Sequence, residues 1–141
     1  MAFTFHKSEK LCSKKIIEQL FNKGNNSFTE FPFRFSWIAV PLDSDSLIQV
    51  LITVSKRNFP KANQRNLIKR QLRELYRLNK YTLYSALPKN HSQFALMISY
   101  IAKKKMLHQE LSNLFQQSIL RLKSELEKNI QFPVSTTDKV L

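Results

Sequence analysis

The feature that most constrains this chain is the stretch 56–80, where nine lysines and arginines stand against a single acid, Glu74, in a pattern with a helical period. At about 100° per residue, and taking Arg65 as origin, Lys69, Lys80, Arg73, Arg77 and Arg70 fall within about the next 140°. Leu67, Leu78, Leu75, Ile68 and Leu72 take the opposing arc. A helix built this way folds into a protein by packing its leucine face and leaving its cationic face free. Ordinary solvated helices place acids four residues from their bases to relieve repulsion, and here Glu74 alone does so. The ridge therefore expects a polyanion, and four of its members are arginines, which grip phosphate oxygens in pairs.

The rest of the chain supplies something for that helix to pack against. Eleven phenylalanines and a hydrophobic fraction of 43% are enough to bury a core in 141 residues without disulfide or metal. The expected organisation is one domain, 1–132, followed by a flexible tail, 133–141. A first helix is read over 13–23, with Ser13 as N-cap and the chain's one glycine, Gly24, just past its end. Residues 33–40 alternate, putting Phe33, Phe35 and Trp37 on one side of a strand and Arg34 and Ser36 on the other. Residues 47–55 form an apolar, β-branched run suited to a buried strand. With only the turn-like 41–46 between them, these two strands are expected to pair as a hairpin. A third strand covers 93–102. Long amphipathic helices run over 64–84 and 106–128, the last with Leu107, Leu111, Leu114, Leu122 and Leu126 as a core stripe. The order is helix, strand, strand, helix, strand, helix, with room for a short extra strand before Phe33. It describes an α/β (α+β) sandwich of a small mixed sheet with three helices.

The net charge of +13 points to nucleic acid, an acidic surface or an acidic protein as partner. A single cysteine, Cys12, excludes an internal disulfide or a multi-thiolate zinc site within one chain. No signal peptide is evident in residues 1–15 and no run of apolar residues suits a membrane span, so a cytoplasmic protein without a membrane partner is expected. His6, His91 and His108 stand without matching acid/base partners, so no catalytic residue and no metal ligand is assigned.

The residues Val54-Ser55-Lys56, then Lys61-Ala62, then Arg65-Asn66-Leu67-Ile68-Lys69-Arg70-Gln71-Leu72-Arg73-Glu74 resemble the signature of the bacterial ribonuclease P protein subunit. The family's motif opens Arg-Asn-Arg; this chain carries Arg65 and Asn66 but has Leu67 at the third position. The departure removes one phosphate contact and sets Leu67 beside the packed arc. The resemblance spans roughly residues 5–126, and it implies a left-handed crossover from the strand before the Arg-Asn helix to the strand after it, against the right-handed default.

The resemblance further implies a function. The protein would bind a catalytic RNA and the single-stranded 5′ leader of precursor tRNA, while the RNA and its Mg2+ ions carry out the hydrolysis. No cofactor is expected on the protein alone, and no obligatory protein partner. Catalytic-RNA contacts transfer onto Lys61, Arg65, Asn66, Lys69, Arg70 and Arg73, and Arg77 continues the same ridge. The leader groove transfers onto Ile17, Phe21, Arg34, Ser36 and Lys56. Phe21 is equally suited to a stacking platform or to the core beside Leu20, and Trp37 is likewise open between core and groove. Two other classes compete. A different RNA- or ribosome-binding protein would share the charge without the motif. A DNA-binding module would need a helix-turn-helix, and no short partner helix precedes residue 64.

Overall fold

The computed structural model describes residues 7–22, 26–42, 46–85, 87 and 93–131. After a short 3-10 turn at Lys7–Glu9 come α1 (Lys14–Phe21), β1 (Asn26–Glu30), β2 (Phe33–Ala39), β3 (Ile48–Val54), α2 (Ala62–Tyr84), β4 (Phe94–Tyr100) and α3 (His108–Gln131). The Ser13 hydroxyl accepts from Ile16 N–H at 3.3 Å and caps α1 as expected. Gly24 and the tail 133–141 lie outside the described residues.

The four strands form one mixed sheet in the order β1-β2-β4-β3. The extra strand before Phe33 exists: β1 runs antiparallel to β2 with Phe28 opposite Phe35, and the turn between them contains a cis Phe31–Pro32 bond. The expected hairpin of residues 33–40 with 47–55 does not form. Strand β4 inserts between them, antiparallel to β2 and parallel to β3. The physical reason is burial on both faces and both edges. β4 reads Phe-Ala-Leu-Met-Ile-Ser-Tyr, apolar almost throughout, and the centre of the sheet is where such a strand leaves least surface in water. β3 and β4 are thus parallel neighbours joined through α2, as a crossover requires.

The sheet is covered unequally. On one face, Phe33, Phe35 and Trp37 of β2, Leu96, Ile98 and Tyr100 of β4 and Val50 of β3 meet Ile68, Leu72 and Leu75 of α2 and Leu111, Phe115, Ile119, Leu122 and Leu126 of α3. Phe33 meets Phe115 edge-on, with ring centroids 5.3 Å apart. Burial of each such side chain stabilises the fold by about 1.5–3 kcal/mol, so this layer dominates stability. Trp37 belongs to it, 2% exposed, although its Nε1 finds no acceptor among the described residues. In the α3 stripe Leu107 is the exception: it precedes the helix and is exposed. On the other face a smaller cluster, Leu11, Leu20, Ala95 and Met97 with Ile16, Ile17, Ile38 and Leu51 against it, seats α1 over β2 and β4.

Candidate RNA-binding surfaces

The loop that launches α2 is built by backbone accounting. Ser55 Oγ accepts from Arg57 N–H at 3.1 Å and Asn58 N–H at 3.4 Å, and Phe59 N–H bonds Ser55 C=O at 3.0 Å. The Phe59 ring is buried, 6.0 Å from Tyr100 between centroids. Arg65 reaches back from the end of the first turn and donates through Nη1 to the carbonyls of Phe59 at 2.8 Å and Pro60 at 2.9 Å. The motif arginine therefore fixes the loop as well as carrying charge, a task invisible in the sequence. Lys61 is the N-cap residue, supplies no side-chain cap, and is followed by a first turn without an acid. The exposed start of α2, beside Lys61, Arg65 and Asn66, is accordingly electropositive.

Along α2 the two faces are rotated from those read off the helical wheel. Ile68, Leu72, Leu75, Tyr76, Lys80 and Leu83 are buried, whereas Leu67 and Leu78, assigned to the packed arc, are exposed. Lys80 is turned inward by a partner 71 residues upstream in sequence. Glu9, itself buried, accepts from Lys80 Nζ at 2.9 Å on both carboxylate oxygens and from Tyr84 Oη at 3.0 Å. Lys80 thereby leaves the ridge for the core, because a buried charge is tolerated when it is paired and hydrogen-bonded. Burial, then the charge of Glu9, pushes the Tyr84 hydroxyl pKa above its ordinary value of 10.0. Arg77 is neutralised more locally, by Glu74 one turn back, whose carboxyl the Arg77 hydrogen bond holds below the usual range.

What stays free is a compact group. Among the described residues no acid lies within ion-pair distance of Lys69, Arg70 or Arg73. Arg70 is exposed, and Lys69 and Arg73 are partly so. Together with Lys61, Arg65 and Asn66 they make a cationic surface on the N-terminal half of α2. Leu67 stands exposed among them, so the apolar residue in place of the usual arginine is a gap in this surface and not a packing contact.

A second surface lies on the α1 face of the sheet. Register places Thr29 opposite Arg34, Arg34 opposite Ser99 and Thr53 opposite Ser99, so one polar row crosses all four strands. Thr53 Oγ1 donates to Ser99 Oγ at 2.8 Å. In the neighbouring row Ser36 is buried beside Met97 and Leu51, on the face that α1 covers. Ile17 is half-buried in the α1 cluster, while Phe21, at the last position of α1, is 64% exposed. Phe21 is therefore not core. Lys56 is exposed just past the end of β3. Sequence reasoning missed Thr29, Thr53 and Ser99. Their alternation with core residues was visible, but the register that aligns them with Arg34 comes from the strand order.

These two surfaces, a motif-bearing cationic helix and a polar row on the sheet face that carries α1 and its exposed Phe21, are on an α+β scaffold shared with known proteins. A family model described as Ribonuclease P matches residues 5–123. The chain belongs to the ribonuclease P protein family. It is 27% identical over 120 residues to a ribonuclease P protein component of Porphyromonas gingivalis, covering 85% of this chain and 87% of that one. To the corresponding protein of Pseudoalteromonas translucida it is 36% identical over 81 residues, 57% of this chain and 55% of the relative. Among solved structures, an RNase P protein mutant of Staphylococcus aureus superposes with a TM-score of 0.63 at 19% identity, covering 83% of this chain and 90% of that one. The RNase P protein of Thermotoga maritima does so at 0.52 and 23% identity, covering 85% and 96%. At those identities the two structures establish the shared fold.

Proposed function

We propose that this chain is the protein subunit of ribonuclease P, which assists removal of the 5′ leader from precursor tRNA while a partner RNA carries out the hydrolysis. The observation that supports this reading most directly is the acid-free cluster Lys69, Arg70 and Arg73 on the motif helix, in a family of ribonuclease P proteins. With Lys61, Arg65 and Asn66 it offers point charges, planar guanidinium forks and an electropositive helix start to RNA phosphates. Arg77 joins only by exchanging Glu74 for phosphate.

The trough on the α1 face suits the single-stranded leader. Sequence-tolerant binding of one strand combines a stacking platform with basic and hydroxyl groups along the backbone. Phe21 supplies the platform, Arg34 and Lys56 the charge, and Thr29, Ser36, Ser99 and Thr53 the polar floor. The chemistry is assigned to the RNA partner and the Mg2+ it holds. Among the described residues no three His, Cys, Asp or Glu side chains gather in a group that could hold a metal ion. His108 begins α3, and His6 and His91 lie outside the described residues. No described helix is long and apolar enough to cross a membrane, and the cytoplasm, where tRNA is made, is the compartment this reading implies.

Reconstitution tests it: purified protein, its cognate RNA and a precursor tRNA are combined at low magnesium. The mature 5′ end is expected only when protein and RNA are both present. Equal processing by the RNA alone under those conditions would overturn the proposal.

A further inference from the structure

A cavity of about 250 Å³ opens between the N-terminal segment, the outer edge of β3 and α2, lined by Lys10, Leu11, Cys12, Val50, Leu51, Ile52, Lys69 and Arg73. Three cations and a thiol line it together with four aliphatic residues. It is smaller than the roughly 300–1,000 Å³ of sites for drug-sized ligands, and suits one ring system.

The backbone adds a specific recognition element. Phe94 N–H bonds Leu47 C=O, which sets Leu47, Gln49, Leu51 and Thr53 facing β4, and Leu11 N–H bonds Val50 C=O on the opposite edge. Both polar groups of alternate residues face the same edge of a strand. Ile52, two residues past Val50, therefore turns its N–H and C=O to the outer edge. The bridge from the N-terminal segment stops at Lys10 and Val50, after which the chain leaves to start α1. Ile52 thus presents one donor and one acceptor toward the edge on which this small cavity opens, an edge position that a folded protein normally covers or pairs.

Resting on the reading of α2 as an RNA surface, we infer that this cavity receives a single unstacked nucleotide of the RNA partner. Its phosphate lies between Lys10, Lys69 and Arg73, its ring enters against Leu11, Val50 and Leu51, and its edge pairs with the main chain of Ile52. Charge complementarity selects the occupant. The cations at the cavity are two members of the acid-free cluster and a third, Lys10, on the facing segment. Single-stranded RNA positions are recognised in this way, by apolar contact with a splayed base and hydrogen bonds to its edge. The cavity differs from the trough under α1, from which the edge of β3 faces away.

Cys12 gives a direct test, because it is the one cysteine in the sequence, is exposed and lines the cavity. The rate of its alkylation by N-ethylmaleimide is measured in the unmodified protein, alone and saturated with the cognate RNA. The same is done with a fully paired duplex RNA, binding being followed by anisotropy. Cognate RNA is expected to slow alkylation by roughly tenfold or more, and bound duplex, which has no splayed base, by less than about twofold. Protein alkylated beforehand should bind cognate RNA more weakly, with Cys12→Ser protein put through the same treatment as control. Equal protection by both RNAs would overturn the inference, since any RNA lying on α2 would then shield the thiol. Cognate RNA that binds without protecting Cys12 would overturn the inference and leave the α2 surface standing. Failure of cognate RNA to bind at all would overturn the α2 reading itself.

Discussion

The two halves of α2 carry similar residues to different ends. The N-terminal half holds Lys69, Arg70 and Arg73 without an acid in reach among the described residues, and the C-terminal half holds Arg77 on Glu74 and Lys80 on Glu9. Both halves contribute to a strongly positive sequence, yet only the first is charge left over for a partner. What distinguishes them is not the cations but the acids, and the decisive acid comes from the N-terminal segment, 71 residues away along the chain. Glu9, Ser8 and Leu11 bind the N-terminal segment to α2, Gln49 and Val50, so Lys80 works as a structural staple.

Removing Lys80 should have the largest effect. Lys80→Ala strands a buried carboxylate, and a loss of about 3–5 kcal/mol in urea unfolding is expected. A loss under about 1 kcal/mol would erase the contrast between the halves. Next comes the triple change of Lys69, Arg70 and Arg73 to Ala. It should leave the unfolding midpoint in place while weakening cognate RNA binding about a hundredfold at 0.15 M salt and flattening the log–log salt slope by roughly 2 to 3. Unfolding of that variant would show that the N-terminal half also serves the core. Phe21→Ala sharpens the comparison between α2 and the trough. Leader-dependent affinity for precursor tRNA should fall by about 1–3 kcal/mol, with affinity for the catalytic RNA unchanged in a filter-binding assay. The smallest effect belongs to Glu74. Its carboxyl is depressed below 4.5 by Arg77, so this pair's contribution to stability is present above that pH and lost as pH falls through the lowered value. Glu74→Gln should remove that small acid dependence of thermal unfolding and release Arg77 to RNA. An unchanged or weaker RNA affinity in this variant would show Arg77 to be structural.

Much of this was legible in the chain itself. Alternation identified Phe33, Phe35 and Trp37 as one face and Arg34 and Ser36 as the other, Ser13 announced the start of α1, and the period of α2 separated the basic side from Ile68, Leu72 and Leu75. These are local properties, fixed by the geometry of strand and helix. Strand order was not local. The sequence places 33–40 and 47–55 next to each other, and β4 comes between them because an almost wholly apolar strand is most stable at the centre of the sheet.

The sequence by itself determined the elements, the polyanion-seeking motif and the family, since each depends on residues close together along the chain. Only the tertiary structure decided which cations are free, that Phe21 faces solvent and Trp37 the core, that Thr29, Arg34, Ser99 and Thr53 share one row, and that Ile52 faces a cavity. Charge neutralisation, burial and register are relations between distant segments, and a carboxylate 71 residues away along the chain is next to Lys80 only once the fold has brought it there.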